Sequence, residues 1–384
     1  MISHIRVGIG LVMLVLLCSS FTVTAQTIEP DSDVKSMFDL LDMSELEAYI
    51  SEQEETGDIS FIDLVSDLIQ GKIPIEGSGL AGMLGNLLWQ EIAENKDLLV
   101  MILVLAISCS FVKNFADIFK NTYISNVCFL MIYMELIALL MKSFLIMNQL
   151  IQDSMTKIVD FMNLLVPVFA MTLCIGMADM TAAGFYQLAF LVIYIVQWVL
   201  VAFLVPMVQI FVVVEFMNYM IPGERFTRMC ELLEEGIRWC LKLSVAVIVG
   251  LNVVQGMIAP AVDRLKTSAV TKTIGVIPGV GNVSNALSEM LLGSGIVIKN
   301  SVGVAGVLIL LLIALIPYVK MLIFALMYKL VAAVSEPIAD KRIAGSINGV
   351  YMACRLLQQI LLTALILFVV TIAIIAAFSG FAMG

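Results

Sequence analysis

Residues 302–328 read VGVAGVLILLLIALIPYVKMLIFALMY, with Lys320 the single charged side chain. About 20 apolar residues in an α-helix cross the roughly 30 Å hydrocarbon core of a bilayer. This run is therefore long enough to cross, and it lacks the polar face that a helix on a soluble protein presents to water. Working outward, the same pattern returns at Leu98 to Val112, Ile124 to Met147, Ile158 to Ala178, Phe185 to Ile221, Leu243 to Ala259 and Leu356 to Phe378, with short charged breaks between runs. The expected fold is all-α: a polytopic α-helical membrane protein of seven or eight transmembrane helices with a small helical extracytoplasmic N-terminal domain. Composition agrees, since 61% apolar and 14% charged residues depart far from the about 45–50% and about 25% of soluble domains.

The run from Phe185 to Ile221 decides between seven and eight spans. As one helix it would be about 55 Å long, so it is either two crossings hinged near Pro206 or one crossing plus a surface or re-entrant helix. Cytoplasmic loops collect Lys and Arg. With the N-terminal domain outside and the run split, Lys113, Lys120, Arg225, Arg228, Arg238, Lys242, Lys329, Lys341, Arg342 and Arg355 all fall on the cytoplasmic side, which favours eight spans and an outside C-terminus. Arg264, Lys266, Lys272 and Lys299 then fall outside.

The net charge of −10 is unevenly spread. Between Gln26 and Asp97 there are 17 Asp and Glu against 3 Lys and Arg, a net of −14. Phosphate binding needs clustered bases, so this acidic stretch argues against a nucleic-acid partner and reads as a solvated domain. Ahead of it, Arg6, the apolar run Ile9 to Cys18 and the sequence Thr22-Val23-Thr24-Ala25 form a signal peptide, 1–25, cleaved after Ala25; an uncleaved anchor is the alternative. Within 26–97 short amphipathic helices are expected. Ser44 with Glu47 makes a capping-box pattern, and Phe61, Ile62, Val65, Leu68 and Ile69 keep helical spacing up to Gly71. Trp89 suits a membrane interface. The remainder, 98–384, is the polytopic transmembrane domain. Of seven cysteines, none lies in the acidic domain and most lie in apolar runs or near helix ends, so no disulfide framework is indicated.

The only histidine is His4, inside the signal. That excludes a His-based zinc site, a Ser-His or Cys-His pair and a His-ligated haem in the mature chain, and no G-x-x-x-x-G-K-[ST] phosphate loop occurs. No enzyme activity, metal or cofactor is expected. What remains are polar groups inside apolar runs: Glu135, Lys142, Glu215 and Lys320, joined by Gln197, Gln209, Asn252, Gln255 and Asn300. A charge at mid-bilayer costs at least about 2.5–3.5 kcal/mol, so such groups normally face a bundle interior or water. Glu135, Glu215, Lys320 and Asn300 are the candidate pore residues, the alternative being paired or snorkelling groups that only fix packing.

Between Ala259 and Val302 the chain carries Ile277-Pro278-Gly279-Val280-Gly281 and then Gly293 in a stretch too apolar for an ordinary loop. A re-entrant segment at 274–298 is expected, with Pro278, Gly279, Gly281 and Gly293 as close-packing residues; a greasy surface loop is the alternative.

These residues, followed by Ile298-Lys299-Asn300, Gly303 and Gly306, Pro317 with Lys320, Tyr328-Lys329 and Glu336-Pro337, and preceded by Leu165-Val166-Pro167-Val168, resemble in order and spacing the stage III sporulation protein AE family. The resemblance covers nearly the whole chain. It implies a multi-pass protein of the mother-cell membrane surrounding the forespore, required for endospore development. Its implied partners are the other stage III sporulation membrane proteins of the same operon, in a secretion-like or channel-like complex linking the two cells, with a homo-oligomer as a further option. It supplies no catalytic residues. An autonomous secondary transporter or permease is the alternative function.

Overall fold

In a computed structural model of the chain, the described residues are 43–53, 60–70, 122–176, 191–221, 225–274, 281–337 and 339–378, with positions 89, 93, 96–97, 100–108, 111 and 223. The signal peptide, its cleavage point, Lys113, Lys120, Pro278 and Gly279 lie outside them. Every regular element among the described residues is a helix. The chain order is α1 (Ser44–Ser51), α2 (Phe61–Ile69), α3 (Thr122–Gly176), a π-helical turn (Leu200–Leu204) leading into α4 (Val205–Met220), α5 (Thr227–Ile274), α6 (Gly281–Ser335) and α7 (Lys341–Phe378). Four stretches are long and apolar enough to cross a membrane: Val127–Phe169, Leu191–Met220, Asn300–Ser335 and Lys341–Ile372.

Two of the expected breaks are not made. Ile124 to Met147 and Ile158 to Ala178 were separable on hydropathy, yet α3 runs unbroken through both. The intervening Asn148 to Lys157 contains no glycine or proline, so nothing stops the helix. It is amphipathic instead, burying Asn148, Ile151, Ser154 and Met155 while Asp153 and Thr156 stay exposed. Likewise Leu191–Met220 is one helical rod rather than two crossings hinged at Pro206. The π turn stands immediately ahead of Pro206, and this wider turn takes up a residue that has no N–H to give and whose ring crowds the preceding carbonyl.

The contacts fix the direction of every long helix. Ser143 on α3 hydrogen-bonds Tyr328 on α6, and further along, Leu165 and Phe169 lie over Gly306 and Gly303, so α3 and α6 are antiparallel. The turn at 336–340 returns the chain, placing Cys354 Sγ 3.4 Å from the Met321 carbonyl and Lys329 over the Tyr351 ring. Helix α7 thus runs parallel to α3, with Arg342 over Phe129 and Tyr133 bonded to Ser346. Helix α4 runs against α7: Tyr219 and Glu215 lie on Gly345 and Gly349, and Gln197 Nε2 donates to the Ala364 carbonyl at 3.2 Å. Helices α4 and α5 form a hairpin whose turn holds Gly223 at φ +98°, a conformation that costs glycine little. Asn218 Oδ1 closes it by accepting from the Phe226 N–H at 2.8 Å.

Both hairpin turns and the start of α3 therefore share one end of the bundle. Arg225, Arg228, Lys341 and Arg342 stand there, with Lys329 within about two turns of the end, while Arg238, Lys242 and Arg355 lie about three to four turns in. Four of the bases that the sequence groups on one side thus stand at one end.

Helices α1 and α2 lean on this bundle, α1 against α3 and α2 against α6. Leu46, Ile50, Phe61, Leu64 and Val65 are buried there, and Tyr49 donates to the Lys157 carbonyl at 3.0 Å. The expected capping box at Ser44 is not formed, since Met43 is the N-cap and makes no side-chain bond. Glu47 instead accepts from the Phe61 and Ile62 N–H groups at 2.8 and 3.3 Å. It thereby serves the free donors and positive end of the next helix, whose own N-cap, Ser60, accepts from Asp63.

Candidate functional site

The interior of the bundle carries polar groups at successive depths, each delivered by the helix register. Nearest the end with the two turns, Tyr133 Oη lies 2.7 Å from Ser346 Oγ and 3.4 Å from the Phe216 carbonyl. Glu215, one residue earlier on α4, is half-buried. A Cβ on Gly349 would come within 2.5 Å of its Cγ, and a Cβ on Gly345 would collide with the Tyr219 ring. Absence of side chain at Gly345 and Gly349 is thus what lets two polar residues, one turn apart on α4, lie flat against α7. On α5, burial first and then a hydrogen bond to Glu215 push the Cys230 thiol up to about 12. It stays a neutral thiol, unsuited to nucleophilic or metal-binding work.

Deeper in the bundle, Ser143 meets Tyr328, and Asn148, Gln197 and Gln358 are buried. The side-chain oxygens of Asn148 and Gln197 and the nitrogen of Gln358 find no hydrogen-bond partner among the described residues. Buried polar atoms left unmatched are costly and are the places where internal water is held. Among the described residues no three His, Cys, Asp or Glu side chains come together as metal ligands.

The structure separates the residues singled out from sequence. Glu215 faces the interior, as just described. Glu135 is exposed on the outer face of α3, and so is Lys142 two turns on. Lys320 is half-buried on α6, and Asn300 is half-buried with its side-chain oxygen unmatched. Glu135 and Lys142 on the outer face of α3 are thus separated from Glu215 in the interior. Gly281 opens α6 and Gly293 lies within it, so 281–298 is helical and continuous with the following span.

Clefts open on the surface among the described residues. One, of about 480 Å³, is apolar and lies between Val159, Met162 and Val166 of α3, Leu191 and Tyr194 ahead of α4, and Phe368 of α7. Another, of about 340 Å³, lies between the hairpin turns and is lined by Tyr219, Ile221, Gly223, Asp340, Lys341 and Arg342.

Sequence reasoning missed Tyr133, Tyr328, Ser346 and the glycine pair on α7. The spacing Gly345-x-x-x-Gly349 was the readable signal, because small residues four apart mark a face where another helix approaches closely.

The family profile of stage III sporulation protein AE matches residues 59–379, from the start of α2 to the last turn of α7. The chain belongs to this family. Among curated proteins it is similar to stage III sporulation protein AE of Bacillus subtilis (strain 168), 24% identical over 252 residues, which is 65% of this chain and 63% of that protein. The alignment thus spans a little under two thirds of the relative's length. No solved structure matches the chain. Family membership supports a role in sporulation and adds no catalytic assignment to the interior groups.

Proposed function

We propose that the chain is a non-enzymatic integral membrane subunit of a channel or secretion-like complex linking mother cell and forespore, required for endospore development. It would sit in the mother-cell membrane around the forespore, with α1 and α2 outside the cytoplasm and the two-turn end of the bundle inside. Membership of a sporulation family, joined to four helices long and apolar enough to cross a membrane, is the observation that carries this reading. The bases at the two-turn end fit the orientation, because Lys and Arg collect on cytoplasmic ends. The acidic helices lean on α3 near Lys157, toward its other end, as a domain outside would.

The partners follow from the same reading: other stage III sporulation membrane proteins of the same operon. The full-length chain, tagged and purified from membranes of sporulating cells, should bring down a reproducible set of such proteins. Purification alone, with solute flux in vesicles that contain only this chain, would replace the reading with that of an autonomous transporter.

A further inference from the structure

The outer face of α3 carries charge inside an otherwise apolar run. Along it Glu135 and Lys142 are exposed two helical turns apart, between exposed Met131, Met134 and Leu145. Charges within a transmembrane run normally face a bundle interior or water, and neither side chain has an ion-pair partner among the described residues. A second exposed face, on the charge-rich segment 227–242 outside the apolar candidate spans, carries a complementary pair of charges. On α5, Arg228 and Glu235 are exposed, also two turns apart, among exposed Leu232 and Trp239. The order of charge is reversed: acid then base on α3, base then acid on α5.

Direction and depth match as well. Helices α3 and α5 both run against α4 and are therefore parallel to each other. Tyr133 reaches the Phe216 carbonyl. In the α4–α5 hairpin Asn218 meets Phe226 and Met207 lies over Gly236, which sets Phe216 level with Arg228. Glu135 thus lies within about one turn of the depth of Arg228, and Lys142 within about one turn of the depth of Glu235. Within one chain the two faces do not meet, since α5 packs on α4 and α7 while α3 packs chiefly on α6 and α7.

We propose that the α3 face of one copy packs on the α5 face of the next, pairing Glu135 with Arg228 and Lys142 with Glu235 in a head-to-tail oligomer about an axis along the bundle. An axis in that direction keeps every copy in the same membrane orientation, which is why a match of depth matters. The two patches differ, so the contact is heterologous and repeats from copy to copy. Arg228 holds Glu231 at 3.1 Å within its own helix, with side chains 94% and 57% exposed; such a surface pair contributes little and yields readily to a better-shielded partner. This inference goes beyond the proposed function and does not need it.

The test uses the full-length chain in membranes of cells that are not sporulating, so that a failure here is distinct from a failure of the sporulation reading. Met134→Cys with Met229→Cys places a thiol on each side of the Glu135–Arg228 pair and leaves all four charges in place. A short bis-maleimide should then give a ladder of dimer, trimer and higher species that the parent cysteines do not give. Reversing the α3 charges, Glu135→Lys with Lys142→Glu, should lower the crosslinked fraction at least tenfold. Adding Arg228→Glu with Glu235→Arg should restore it. A monomer on the gel from chains shown to be inserted and abundant overturns the proposal. So does failure of the double reversal to restore the ladder, or a Met134→Cys chain that crosslinks as well alone as with its partner cysteine.

Discussion

Helices α6 and α7 each carry a pair of glycines under the side chains of a neighbour, and the two pairs do different things. On α6, Gly303 and Gly306 receive Phe169 and Leu165 of α3, and the surroundings are apolar and buried. On α7, Gly345 and Gly349 receive Tyr219 and Glu215 of α4, next to the Tyr133–Ser346 bond. In both places the missing side chain lets helices approach closely. At the first pair the gain is packing alone. At the second it also brings an acid and a tyrosine, which would otherwise stand off the helix, to the level of a buried hydrogen bond. One sequence device therefore supports a dry interface in one half of the bundle and a polar one in the other.

Size at the second pair should show the largest effect. Gly345→Leu drives a branched side chain into the edge of the Tyr219 ring, a rigid group with which even a Cβ would collide. The expected destabilisation is at or above ~3 kcal/mol, the upper end of overpacking costs. It should be read as loss of the cooperative thermal transition of the detergent-solubilised protein and as new protease cleavage at 221–226. Gly306→Ala should cost less. The Cβ would come within 2.6 Å of Leu165 Cδ2, but that methyl is the far end of a flexible side chain, so ~1–2 kcal/mol and a folded protein are expected. If Gly345→Leu proves as mild as Gly306→Ala, the polar pair is no tighter than the apolar one and the contrast between them fails.

How much of this was legible follows from what each sequence signal reports. Where they are described, the apolar runs are helices, and α2 occupies Phe61 to Ile69 as its spacing foretold, because both readings rest on local pattern. Continuity was misjudged at Asn148 to Lys157. Hydropathy reports preference for lipid, whereas a helix ends only where backbone chemistry ends it, and no glycine or proline stands there. Glu135 was read either as a pore residue or as a charge that only fixes packing, and its side chain is exposed on α3. In a run that is apolar all round, the 3.6-residue period carries no signal about which face is buried, so depth along the sequence could be read and orientation could not. Glu47 shows the same limit at short range. The pattern Ser44-x-x-Glu47 was real as sequence, but Phe61 brought a better pair of donors to that carboxylate than its own helix offered.

The finest distinction lies between polar groups in the interior that are matched and those that are not. Tyr133 makes a 2.7 Å bond to Ser346, and Ser346 also donates to the Arg342 carbonyl at 2.9 Å. Tyr133→Phe should cost only the net value of one buried hydrogen bond, ~0.5–1.5 kcal/mol, because its partner remains satisfied. Asn148 is buried on α3 with its side-chain oxygen unmatched. Replacing it by Leu removes a group that has already lost its water without gaining a full set of partners, and substitutes an apolar side chain of similar size. The expected change is within ~1 kcal/mol of zero and toward higher stability, the opposite sign to Tyr133→Phe. Thermal unfolding of the two variants side by side in one detergent decides it. A clear loss of stability in Asn148→Leu would mean that this oxygen is bonded, through ordered water or through residues beyond those described, and that the middle of the bundle is as fully matched as the end where Tyr133 stands.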